Sequence, residues 1–196
     1  MRINLISGLA AIIALLFFLT TCTSVDDLNP FGASKIEKPK CPPVKLLKDA
    51  DKIIVYKAGP GRDISDISFE AEIKSFKGEC EYLGDNEIYD KVVMTLQVVL
   101  DITRGPAAKK SQFKLSYFVA IPEFFPNPKG KINFNRSLQF PLDLNSMSIL
   151  DEAIEVTIPL NKNRPGPLTK VLIGFNLNKS QLEINRRIRG NRVLGQ

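Results

Sequence analysis

Val92-Val93-Met94-Thr95-Leu96-Gln97-Val98-Val99-Leu100-Asp101-Ile102-Thr103 reads as one long β-strand. Counting by twos places Val92, Met94, Leu96, Val98, Leu100 and Ile102 on one face and Thr95, Gln97, Asp101 and Thr103 on the other. Successive strand side chains point to opposite sides, so this pattern buries one face and leaves the other in water. A helix would scatter the same residues around its circumference.

Outward from this stretch the same period recurs. It is present in Phe113, Leu115, Tyr117, Val119 and Ile121, and in Leu138, Phe140, Leu142 and Leu144. It returns in Ile154, Val156, Ile158 and Leu160, and in Val171, Ile173, Phe175 and Leu177. Toward the N-terminus, Ile67, Phe69, Ala71 and Ile73 share one parity and Cys80 and Tyr82 the other, which predicts a bulge or turn near Gly78. Ile53-Ile54-Val55-Tyr56 is apolar on both sides, as an inner strand would be. Turn signals separate the runs: Gly59-Pro60-Gly61-Arg62-Asp63, Gly84-Asp85-Asn86, Arg104-Gly105-Pro106, Asn127-Pro128-Lys129-Gly130 and Arg164-Pro165-Gly166-Pro167. They leave little room for helices. About seven to eight short strands at this spacing predict an all-β fold, an antiparallel β-sandwich of immunoglobulin-like type, with a closed barrel as the alternative. Pro122, Pro141 and Pro159 lack the N–H that a ladder needs and belong on edges or at bulges. Phe124 and Phe125, beside a proline-rich turn, are expected to cap the core rather than to form an exposed patch.

The N-terminus has a different character. Arg2 supplies a positive start, residues 6–19 are apolar and uncharged, and Leu19-Thr20-Thr21-Cys22 closes the run. A permanent membrane helix needs about 20 apolar residues, and this run is shorter and stops at threonines, so a cleaved signal peptide over residues 1–21 is expected. Leu19-Thr20-Thr21-Cys22 resembles the lipobox of bacterial lipoproteins. The resemblance covers only this signal and implies cleavage before Cys22, with a diacylglycerol on its thiol and an acyl chain on its amine. Several chains anchor a protein far more firmly than one. Residues 22–40, polar and carrying Pro30, Gly32 and Pro39, read as a tether between this anchor and a domain over residues 41–178. By analogy with lipoprotein sorting, Thr23 after the lipidated Cys, in place of the Asp that retains such proteins in the inner membrane, favours the outer membrane and a periplasm-facing location in the cell envelope. The overall plan, with a lipidated Cys, a short tether, a Cys-Pro start and an all-β body, looks like that of uncharacterised Gram-negative envelope lipoproteins.

With Cys22 set aside, Cys41 and Cys80 form an even pair in an exported chain, which predicts a disulfide. Two buried thiols are the alternative. A zinc site is not expected, because there is no histidine, no third cysteine and no close CxxC spacing.

The absence of histidine also removes Ser-His-Asp and Cys-His activation and the commonest general base. Carboxylate pairs are what remains for catalysis, Asp63 with Asp66 or Glu70 with Glu72, on the logic of two acids flanking a sugar bond. Glu70 and Glu72 alternate with Phe69, Ala71 and Ile73, so they are expected on a solvated strand face. Asp85-Asn86-Glu87 and Asp90 lack calcium-loop spacing and read as a polar turn. Gly59-Pro60-Gly61-Arg62-Asp63 lacks the phosphate-loop spacing. It reads as a rigid turn with Arg62 and Asp63 exposed or paired with each other, and Arg62 as a candidate partner contact. No catalytic residue, metal or cofactor is assigned.

Charge is unevenly spread. Residues 22–178 carry 21 basic and 20 acidic side chains, whereas residues 179–196 carry five basic ones against Glu183 alone. This predicts a basic C-terminal tail in which Arg186, Arg187, Arg189 and Arg192 contact an anionic envelope component or an acidic envelope protein, unless the tail is simply frayed and solvated. Nucleic acid is not an expected partner, because export separates the chain from it. The functional expectation is a membrane-anchored, non-catalytic binding or scaffolding module of the cell envelope. A histidine-free envelope hydrolase using paired carboxylates is the alternative.

Overall fold

The computed structural model describes residues 38–85, 88–141, 143–163 and 165–194, the last four of these by backbone alone. The signal peptide, Cys22 and the tether up to residue 37 lie outside the described residues. From Lys38 onward the chain forms one unit.

The long alternating stretch from Val92 to Thr103 lies in β4, which runs over Ile88–Arg104 as the seventeen-residue centre of a five-stranded sheet. Its predicted inner face is buried throughout, with Val92, Leu96, Val98, Leu100 and Ile102 at 0% exposure. Each such side chain contributes about 1.5–3 kcal/mol of hydrophobic stabilisation. Antiparallel β3 (Ile67–Asp85) covers one side of β4, and β2 (Lys52–Tyr56) pairs with β3 beyond it. The other side of β4 is shared end to end by β7 (Ser146–Leu150), opposite Val99–Thr103, and β8 (Ile154–Pro159), opposite Lys91–Leu96.

The second sheet has the order β1-β9-β5-β6, from β1 (Val44–Leu46), β9 (Val171–Phe175), β5 (Gln112–Ala120) and β6 (Lys131–Gln139). Its pairs are antiparallel except β1 with β9. Phe113, Leu115, Tyr117 and Val119 from this sheet join Val92 to Ile102 of β4 in a single core. Two open sheets packed in this way are the predicted β-sandwich rather than a closed barrel, with nine strands among the described residues where seven to eight are expected from the sequence.

Four local readings change. The switch of parity in β3 comes at Lys74, where the register shifts between Ile73 and Ser75, ahead of Gly78. β2 is an edge strand rather than an inner one. It is apolar on both sides because Ile53 faces the core while Ile54 lines a groove beneath a C-terminal helix. β6 ends at Gln139, so of the run predicted over 138–144 only Leu138 is on the strand; Phe140 is buried just beyond it, Leu144 is 44% exposed in a loop, and Leu142 lies outside the described residues. The alternation in β6 was masked by Arg136, a charged side chain sharing a face with Phe134 and Leu138. Finally, the phenylalanines divide: Phe124 packs against the core, and Phe125 is 80% exposed.

Two covalent or polar ties cross the structure. Cys41 and Cys80 form the expected disulfide and bind the segment before β1 to β3. Beside it the Tyr82 hydroxyl donates to the Lys40 carbonyl at 2.7 Å. The second tie is made at the break between β7 and β8, where Asp151 is buried. Its N–H donates to the Val98 carbonyl at 2.9 Å, and its carboxylate accepts from the Tyr117 hydroxyl of the opposite sheet. Arg136 Nε donates to both Asp151 oxygens at 2.8 and 2.7 Å. Burial, and then the neighbouring Asp151 carboxylate, push the Tyr117 phenol well above its ordinary value of 10.0.

Two outcomes are expected. Replacing Cys41 and Cys80 together by Ser lengthens the free unfolded chain by a loop of 39 residues. It should cost about 4 kcal/mol in the chain-entropy account, read as a lower urea midpoint. Tyr117→Phe leaves Asp151 with Arg136 alone and should cost about 1–2 kcal/mol at neutral pH. Because the folded phenol titrates above the unfolded one, the wild type loses this advantage once pH passes the unfolded value of 10.0. The stability gap between wild type and variant should therefore narrow on going to more alkaline pH, which paired melts at stepped pH would measure.

Candidate binding cleft and the basic segment

At one end of the sandwich the two sheets part. The final residue of β4, Arg104, leads into a loop over residues 105–111 that bridges to β5 in the other sheet. Backbone bonds pin this loop: Gly105 N–H donates to Ser68 O at 2.9 Å, Ala107 N–H to Ile67 O at 2.8 Å, and Phe140 N–H to Ser111 O at 2.8 Å. Gly105 is required by close approach, since a Cβ there would stand 2.1 Å from the Ile67 carbonyl oxygen.

The loop frames a cleft of about 390 Å³ between the sheet ends. Its floor is aromatic: the Phe69 and Phe113 rings lie 4.9 Å apart and the Phe113 and Phe140 rings 5.1 Å apart. Its rim is cationic, carrying Lys57, Arg104, Lys109 and Lys110, and no carboxylate lines it among the described residues. Lys57 is spoken for by an ion pair to Asp66 at 2.6 Å. Arg104, Lys109 and Lys110 have no carboxylate partner among the described residues. Half-buried Arg104 presents a planar fork suited to carboxylate or phosphate.

The sequence-predicted contacts lie elsewhere. Arg62 folds back on its own turn, donating to Gly59 O at 2.8 Å and to Gly61 O at 2.5 Å, and stacks over the Tyr56 ring. Asp63 and Asp66 cap a short 3-10 turn reciprocally, with Ile64 N–H donating to Asp63 and Asp63 N–H to Asp66. The Lys57 bond and that of the Asp63 N–H hold the Asp66 carboxyl below the usual carboxylate range. Glu70 and Glu72 share the outer face of β3, where Glu72 pairs with Lys52 at 2.8 Å. They stand side by side on one strand and, with Asp101 of β4 opposite Glu72, line a groove of about 460 Å³ on the outer face of the sheet.

The basic segment is not a tail. Lys179–Leu194 forms a helix, α1, and its N-terminus carries a capping box in which Gln181 N–H donates to Asn178 Oδ1 at 2.9 Å and Asn178 N–H to Gln181 Oε1 at 3.0 Å. α1 packs against β2. Asn185, 9% exposed, donates to the carbonyls of Asp49 and Lys52 at 2.9 and 2.8 Å. Arg186 and Arg189 bind Asp49 at 3.1 and 3.2 Å, and Arg189 also reaches Asp51 at 3.3 Å. Partial burial raises the Asp51 carboxyl against the downward pull of Arg189, and Glu72 pushes it further up. Arg187 is exposed, and the Arg192 side chain lies outside the described residues. Two of the four arginines thus serve the fold. The pattern Asn178-Lys179-Ser180-Gln181 was the available signal for a helix start, and a polar packing face hid the rest.

The chain matches no family model, no curated protein and no solved structure among those compared with it. The cleft is therefore read from its own geometry.

Asn185→Ala should leave two backbone carbonyls unbonded and cost about 1–3 kcal/mol. The Arg186→Gln and Arg189→Gln double variant removes half-exposed pairs worth about 1 kcal/mol or less each. Hydrogen exchange should accelerate first in α1 for both variants, while amides of β4 change little.

Proposed function

We propose that this chain is a lipid-anchored module of the bacterial cell envelope that binds an envelope component rather than transforming one. The observation that carries the reading is Leu19-Thr20-Thr21-Cys22 at the end of an uncharged apolar run. The disulfide fits an exported chain, since such bonds persist in oxidising compartments. The tether then joins the domain at Cys41, beside a cross-link that resists fraying at that point. Thr23 after Cys22 favours the outer membrane, with the domain in the periplasm.

Support for binding over hydrolysis comes from how the acids are used. Asp63 and Asp66 are occupied in a cap, and Glu72 with a lysine. The aromatic cleft, whose Arg104, Lys109 and Lys110 have no carboxylate partner, has no carboxylate among the described residues that line it. An envelope component that carries carboxylate or phosphate is the partner class this arrangement favours, and a basic envelope protein or nucleic acid is not.

Cys22→Ser tests the anchor. Metabolic labelling with palmitate should be lost, and the protein should either leave the membrane fraction or accumulate as its precursor. Normal processing of the variant, with retention in membranes after high-salt and carbonate washes, would show that Cys22 is not the anchoring residue.

A further inference from the structure

We propose that the cleft framed by the loop over residues 105–111 is a binding site for an amphipathic anion, an acyl or similar apolar group bearing a carboxylate or phosphate head. The proposal deepens the binding reading above by naming its ligand class. It does not depend on the lipid anchor.

Three features converge. The floor is lined by Phe69 and Phe113, each 8% exposed, and by Phe140, whose ring is tilted against that of Phe113, a surface for hydrocarbon and not for a sugar hydroxyl. Above it Arg104, Lys109 and Lys110 gather like charge without a carboxylate among the described residues to offset it. Arg104 is half-buried and Lys109 and Lys110 are exposed beside it, and a bound anion offsets the like charge of the three. The third feature is that the loop owes its shape to backbone bonds at Gly105, Ala107 and Ser111. The lysines are therefore not needed to hold it and stay available to a ligand. A pocket that is mostly apolar with a few convergent polar groups is what small-molecule sites look like.

The test titrates the protein, purified as the cell makes it and held in phosphatidylcholine nanodiscs, with octyl phosphate, octanoate, octanol and inorganic phosphate. Heats from empty nanodiscs are subtracted, and protein recovered without membrane is titrated directly. Octyl phosphate or octanoate should bind about tenfold or more tightly than either octanol or inorganic phosphate, because head and chain each make contacts the truncated probes lack. The tighter of the two anions identifies the head group. Bound ligand should protect Lys109 and Lys110 from amine acylation, read by peptide mass spectrometry, while Lys45 and Lys77 stay reactive. The Arg104→Gln, Lys109→Gln and Lys110→Gln triple variant should keep its melting temperature and lose about tenfold or more in affinity. Equal binding of all four probes, unchanged affinity in the triple variant, or protection absent from Lys109 and Lys110 would overturn the site. None of these results bears on Cys22, so failure here and failure of the anchor are told apart.

Discussion

β4 carries hydrogen-bonded neighbours on both edges, β3 along one and β7 followed by β8 along the other. Every strand of that sheet except β2 takes its register directly from this ladder. The inner face of β4 in turn supplies the floor on which β5 and β9 lay Leu115, Tyr117, Ile173 and Phe175. A one-residue slip of β4 would turn Val92, Met94, Leu96, Val98, Leu100 and Ile102 to water and bring threonine, glutamine and aspartate inside. The apolar alternation of one strand therefore constrains both sheets. The cleft depends on it as well, since Arg104 is where that strand ends and the sheets part.

Against this apolar framework stands a buried charge between the sheets, Asp151. Asp151 interrupts what would otherwise be a single edge strand from Ser146 to Pro159, and the break turns its carboxylate inward. An isolated carboxylate there would be costly, but Tyr117 and Arg136 occupy both oxygens. The cluster joins the edge of one sheet to the middle of the other through directional bonds, where hydrophobic contact alone tolerates sliding. Arg136 reaches the pair from edge strand β6, its guanidinium lying 5.9 Å from the centre of the Tyr117 ring and 5.8 Å from that of Phe134. The same logic of polar groups used for the fold governs α1: its arginines, conspicuous as a surplus of positive charge, meet Asp49 and Asp51 on the segment between β1 and β2.

The strands with one strict face were legible. β4, β5, β8 and β9 stand where period-2 alternation places them, and the disulfide follows from an even cysteine pair. What was misread shares a cause. β6 carries Arg136 at a half-buried position, β7 is only five residues long, β2 is apolar on its outer side, and α1 packs through Asn185 and Arg189. For β6 and α1 the decisive partner lies elsewhere in the sequence, Asp151 for Arg136 and Asp49 for Arg189, so local pattern assigns the wrong side or the wrong element. The cleft was invisible for the same reason. Arg104-Gly105-Pro106 reads as a turn, and nothing near it announces that Phe69, Phe113 and Phe140 come together beneath.

The amino-acid sequence by itself determined the all-β class, the inner faces of the long strands, the cysteine pair and the resemblance of the N-terminus to a lipoprotein signal. These depend on neighbours within a few positions, or on composition, and hydrophobic period and signal-peptide chemistry are local properties. The tertiary structure alone decided which charges are available. It engages Arg62, Arg186 and Arg189 internally and leaves Arg104, Lys109 and Lys110 at the mouth of an aromatic cleft. A charge is free or paired according to what folds beside it, and that is fixed by contacts between segments distant along the chain.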